Sequence, residues 1–101
     1  MPARVLLFTL LFATPLVARA DDLIELLQQR NCPDCTLADV DLQGAQLQRA
    51  NLGQARLDGA DLRGSDLQFT NLRGASLRSA DLRGSKLYGT DLRQAKLNAV
   101  S

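Results

Sequence analysis

From Cys35 to Ala99 a leucine occupies every fifth position, Leu37 through Leu97, and no leucine in that stretch falls out of step. Two residues before each leucine stands a small or compact side chain, as in Ala60, Ser65, Thr70 and Ala75. A period of five suits neither regular secondary structure. On a helix turning about 100° per residue, successive leucines would step by about 140° and wind round the axis without forming a stripe. In a continuous strand an odd period would send consecutive leucines to opposite faces. A chain that bends once in every pentapeptide resolves both conflicts, because every leucine and its small companion can then point at one axis. The pattern predicts a solenoid.

A second period sets the size of one coil. Residues 60–79 and 80–99 agree at 12 of 20 positions, and the inward order Ala60, Ser65, Thr70, Ala75 returns as Ala80, Ser85, Thr90, Ala95. Twenty residues therefore make one turn, four pentapeptides to the coil, with equivalent residues stacked in columns.

The units VDLQG, ANLGQ, ADLRG, TNLRG and TDLRQ resemble the Ala-(Asp/Asn)-Leu-X-X pattern of the pentapeptide-repeat family, over about two thirds of the chain. The resemblance implies an all-β fold, a right-handed quadrilateral β-helix. It implies little about function, since most members have none assigned.

Outside the repeats, residues 1–20 place Arg4 before an apolar run, Val5 to Ala13, then Pro15 and a closing Ala18-Arg19-Ala20. This reads as a secretory signal with a small-x-small cleavage site, too short in its apolar part to span a bilayer. Residues 21–34 read as a short amphipathic helix and a turn. Asp21 or Asp22 is the expected N-cap, Leu23, Ile24, Leu26 and Leu27 the apolar side, and Arg30 the cation near the C-terminal end. Such a helix is expected to lie over the open end of the coil and shield its edge. Residues 35–101 are then the solenoid. The last coil has no such cap in the sequence, and a second copy meeting it end to end is the expected consequence.

The formal charge of +1 becomes −1 once Arg4 and Arg19 leave with the signal, 10 cations against 11 anions. Neither value suggests an electrostatically driven partner, and nucleic acid would need clustered cations with stacking aromatics. Cys32 and Cys35 are the two cysteines. In an exported chain they read as a disulfide stapling the helix to the first coil. The same Cys-Pro-x-Cys spacing also resembles the redox motif of thioredoxin-like proteins, although here it follows a helix and precedes a solenoid. Zinc would have two thiols, half a tetrahedral site, and no histidine.

Stacking at twenty residues aligns Asp41, Asp61 and Asp81, a column that could hold a cation or a carbohydrate, or simply bond its own backbone at each turn. Arg63, Arg73, Arg78, Arg83 and Arg93 follow leucines and form a basic face that neighbouring aspartates neutralise. Phe69 and Tyr88, nineteen apart, become diagonal neighbours flanked by Gln48 and Gln68, a candidate contact patch for a partner or a second copy. No catalytic residue, cofactor site or metal site is assigned. The expectation is a non-catalytic exported structural or protein-interaction module in the periplasm or a comparable lumen, with no nucleic acid and no stable membrane insertion. The alternatives are thiol-disulfide chemistry at Cys32 and Cys35, or a DNA-mimicking topoisomerase partner, which the export signal and near-neutral charge disfavour.

Overall fold

The computed structural model describes residues 19–101, so the signal expected over residues 1–20 lies almost wholly outside the described residues. One helix, α1 (Ala20–Gln29), precedes a solenoid whose successive coils pair by parallel bridges at a constant offset of twenty residues, as in Asp41 with Asp61 and Asp61 with Asp81. Each pentapeptide contributes a single bridging residue, because a turn every five residues leaves no length for a strand.

Residues 61–65 show how the backbone is satisfied. The Asp61 N–H donates up to the Val40 carbonyl at 2.9 Å, while Leu62 and Gly64 donate down to Asp81 and Arg83 at 2.8 and 3.0 Å. Ser65 closes the turn on the Leu62 carbonyl at 3.1 Å. The remaining donor, the Arg63 N–H, goes to Asp61 Oδ1 at 3.2 Å. All five N–H groups are thus used, and the residue before the leucine supplies the one acceptor that the backbone lacks. In every turn the third residue alone has positive φ, 68° at Gly44 and 59° at Phe69 for example, which makes these type II turns.

Inside, Leu37, Leu47, Leu52, Leu57, Leu62, Leu72 and Leu77 are all 0% exposed. Each contributes about 1.5–3 kcal/mol by leaving water. The polar members of the inward columns bond carbonyls of the coil itself. Ser65 Oγ donates to Leu62 at 2.8 Å and Thr70 Oγ1 to Leu47 at 2.7 Å, so neither is left unpaired.

The N-terminal end differs from the sequence expectation in three ways. First, bridging begins at Asn31, paired with Asn51, four residues before the boundary expected at Cys35. Cys32 takes the inward position that a leucine holds in later repeats, so the Cys-Pro-Asp-Cys turn is itself the first pentapeptide. Second, neither Asp21 nor Asp22 is the N-cap. Arg19 holds that place in extended conformation with no side-chain bond. Asp22 instead accepts the Thr36 N–H at 2.7 Å, and the Arg19 N–H donates to the Thr36 carbonyl at 3.1 Å. The start of α1 thereby replaces the coil that would pair with Thr36. Third, only Leu26 of the apolar side is fully buried. Leu23 is partly covered, and Ile24 and Leu27 are half exposed, because the helix rests on the coil along a narrow row.

Asp22→Ala is expected to lower stability by about 1–3 kcal/mol, the cost of leaving a partly buried donor without its charged acceptor. Urea denaturation checks it, and Asp22→Asn, which keeps an acceptor oxygen, should recover much of the loss.

Candidate contact surface

The twenty-residue register sets Gln48, Gln68 and Tyr88 in one column and Arg49, Phe69 and Gly89 in the next. The Phe69 and Tyr88 rings meet edge to face, centroids 5.5 Å apart and planes at 90°. Phe69 is 47% exposed and Tyr88 74%. Aromatic pairs of this geometry contribute about 0.5–1.5 kcal/mol beyond their buried area. The Arg49 guanidinium lies over the Phe69 ring, 4.9 Å from its centroid. Arg49 went unassigned in the sequence, although its place twenty residues before Phe69 was a sufficient signal.

The two glutamines stand beside the rings as a half-buried border. Gln68 Nε2 donates to both carboxylate oxygens of Asp66, at 3.1 and 3.2 Å. Gln48 Nε2 donates to Gln46 Oε1 at 2.9 Å, while Gln48 Oε1 is buried with no hydrogen-bond partner among the described residues. The patch is therefore two rings, one of them carrying a cation, beside a rim of amides.

Cys32 and Cys35 face each other with Cα atoms 5.5 Å apart, a spacing within the disulfide range. Both are buried, at 1% and 8% exposure. The pair spans one turn of the first coil and does not tie the helix to it; Asp22 and Arg19 do that. Reactive thiols sit in exposed electropositive surroundings, whereas these sulfurs are packed among leucines.

The aspartate column behaves as a set of turn acceptors. Asp41, Asp61 and Asp81 accept the N–H two residues on, from Gln43, Arg63 and Arg83. Arginine at that second position then folds back onto the same carboxylate. Arg63 Nε and Nη2 reach Asp61 at 2.8 and 2.7 Å, and Arg83 and Arg93 repeat the fork on Asp81 and Asp91. Arg73 and Arg78, also expected in the neutralised face, form no ion pair among the described residues. On another face, an asparagine ladder runs down the column instead, from Asn71 to Asn51 to Asn31 at 3.0 and 3.1 Å.

These bonds depress the carboxyls. The fork from Arg83 holds Asp81 at about 2. Arg63 and Arg93 lower Asp61 and Asp91 in the same way, and the Gln68 backbone N–H lowers Asp66. A depressed carboxyl stabilises the fold above its unfolded value of about 3.9 and loses that contribution as pH falls through the folded value. Thermal stability is therefore expected to hold level from neutral to about pH 5 and to fall between about pH 4 and pH 2. A midpoint that drops already between neutrality and pH 5 would contradict this.

The model of the family described as pentapeptide repeats matches residues 41–78 and 60–98, with eight copies. The chain belongs to the pentapeptide-repeat family. Among solved structures it is similar to HetL of the cyanobacterium Nostoc sp. strain PCC 7120, a pentapeptide repeat protein involved in heterocyst differentiation regulation. The identity is 38% and the TM-score 0.68, over 69% of this chain and 33% of HetL. It is also similar to a pentapeptide repeat protein from the thylakoid lumen of Arabidopsis thaliana, at 29% identity and TM-score 0.63, over 67% of this chain and 46% of that one. The chain thus spans a third of the length of the first relative and under half of the second. No curated protein matches it. Pentapeptide-repeat membership accounts for the β-solenoid and its leucine-filled axis, and leaves the outward columns as the part particular to this chain.

Proposed function

We propose that this protein is a non-catalytic module that works by surface contact, with the patch at Phe69 and Tyr88 as the surface that meets a protein partner. The observation that carries this reading is a pair of exposed, mutually braced aromatic rings on a solenoid whose axis is filled by side chains. Rigid aromatics lose little freedom on docking and dominate contact energies. A leucine-filled interior offers no enclosed place for a reaction.

Export to the periplasm, or to a comparable lumen, is supported by the form of residues 1–20 and suits a disulfide between Cys32 and Cys35. Among the described residues no helix is long and apolar enough to cross a membrane. In this reading the coil is right-handed and four-sided, and the exposed leucines Leu87 and Leu97 of the last coil suit a second copy. Burial of the cysteines weighs against thiol exchange. Pairing of Asp61, Asp81 and Asp91 with arginines weighs against mimicry of DNA, which needs unneutralised negative charge.

Crosslinking in the native cell envelope tests the contact surface. Phe69→Ser combined with Tyr88→Ser should abolish the crosslinked species while circular dichroism stays unchanged. A crosslinking profile identical to that of the unaltered protein would overturn the proposal.

A further inference from the structure

On most of the surface, Asp or Asn before the leucine accepts the N–H two residues on. The column Gln46, Asp66, Lys86 keeps one such acceptor, at Asp66, and the column Thr36, Arg56, Ser76, Lys96 keeps none. With no carboxylate or amide in the column, the N–H groups of Asp58 and Arg78 have no acceptor among the described residues. Ser76 is buried, its hydroxyl donates to Asp58 Oδ1, and it accepts no bond from the Arg78 N–H.

The residues around this break form a groove of about 190 Å³ lined by Gln54, Arg56, Gly74, Ser76, Arg78 and Lys96. With Ala55 the lining comes to seven residues, of which three are cations and none is acidic. Arg56, Arg78 and Lys96 make no ion pair among the described residues, in contrast to Arg63, Arg83 and Arg93. The Gln54 amide lies over Gly74, where a side chain on the glycine would collide with it, so the amide adds a further donor to the rim. Asp58 borders the groove through its bond from Ser76 Oγ, and with Asp39 it lines a neighbouring groove that shares Arg78 with this one.

The chain itself shows what such a donor set takes. At Asp61 one carboxylate receives the Arg63 N–H, Nε and Nη2 together. Arg78 offers the same three donors, with a serine where the aspartate would stand. Arg56 and Lys96 sit one coil to either side of Ser76, about 4.8 Å away along the column. A single carboxylate satisfies one arginine fork, but three surrounding cations favour more than one negative charge. We propose that this groove binds a small multivalent oxyanion, of which inorganic phosphate is the simplest, seated against Arg78 with Arg56 and Lys96 on either side.

Titration of the purified protein with inorganic phosphate at fixed ionic strength, followed by backbone amide NMR, tests the site. Saturable shifts are expected at Asp58, Gly74 and Arg78, with acetate binding more weakly. Arg78→Gln should weaken phosphate binding by about tenfold, the loss of one charged hydrogen bond. Ser76→Asp should abolish binding, since it installs the carboxylate that the repeat pattern carries elsewhere. Arg83→Gln, on a different face, should leave binding unchanged. Linear, unsaturable shifts would overturn the proposal, as would acetate binding as tightly as phosphate, or Arg83→Gln weakening it as much as Arg78→Gln. Arg78→Gln decides the matter if Ser76→Asp does not fold.

Discussion

Replacing Leu62 by alanine is expected to destabilise the protein by about 2–5 kcal/mol, whereas the same change at Leu97 should cost about 1–2 kcal/mol. Leu62 is 0% exposed, with coils above and below, and its loss removes transfer energy and opens a cavity that a repeating backbone cannot close. Leu97 is 45% exposed on the last coil, so much of its surface is already in water. The cost should also spread. In a solenoid each coil contacts only its neighbours, so a defect in the middle weakens two interfaces and one at the end weakens a single interface. Urea denaturation of the two variants measures the difference. Equal losses would mean that the axis is not the shared core described above.

The second large effect is expected at Gly89. Its φ of 74° is one that other residues adopt at a cost of about 1–2 kcal/mol. An added Cβ would also stand 2.5 Å from Phe69 Cδ1. Gly89→Ala must therefore move the Phe69 ring, with loss of its edge contact to Tyr88 and its place under Arg49, a further ~1–2 kcal/mol. The sum is about 2–4 kcal/mol. Gly64→Ala is the control, because its φ is 68° but nothing lies within 4 Å of the new atom. It should show the backbone cost alone. Tyr88 fluorescence reports the ring displacement separately, and should change in Gly89→Ala and not in Gly64→Ala.

The architecture was legible because one side chain at one spacing admits few geometries. The leucine period excluded helix and strand, and the return of Ala60, Ser65, Thr70 and Ala75 after twenty residues fixed the columns. That register was enough to bring Phe69 beside Tyr88. The N-terminal end was less legible. Cysteine at position 32 carries no leucine signal, so the first pentapeptide reads as a turn ahead of the solenoid, and Asp22 reads as a helix cap because local sequence holds no trace of Thr36 as its partner. Arg49 and the Arg56, Arg78, Lys96 groove were missed for another reason. The arginines that stand out in the sequence follow leucine, while Arg56 and Lys96 precede it, at the position that Asp or Asn holds before Leu42, Leu52, Leu62, Leu67, Leu72, Leu82 and Leu92. Only the bond made by that Asp or Asn, an acceptor for a specific N–H, shows why a cation there changes what the face can receive.

Columns at twenty-residue spacing place both the aromatic patch and the cationic groove, and proton contacts between coils test them most directly. In a NOESY spectrum of the folded protein, Asp41, Asp61 and Asp81 should show backbone contacts to one another in succession, as should Arg56, Ser76 and Lys96. Contacts at a ten-residue spacing, or the three- and four-residue contacts of a helix across residues 36–100, would contradict the account.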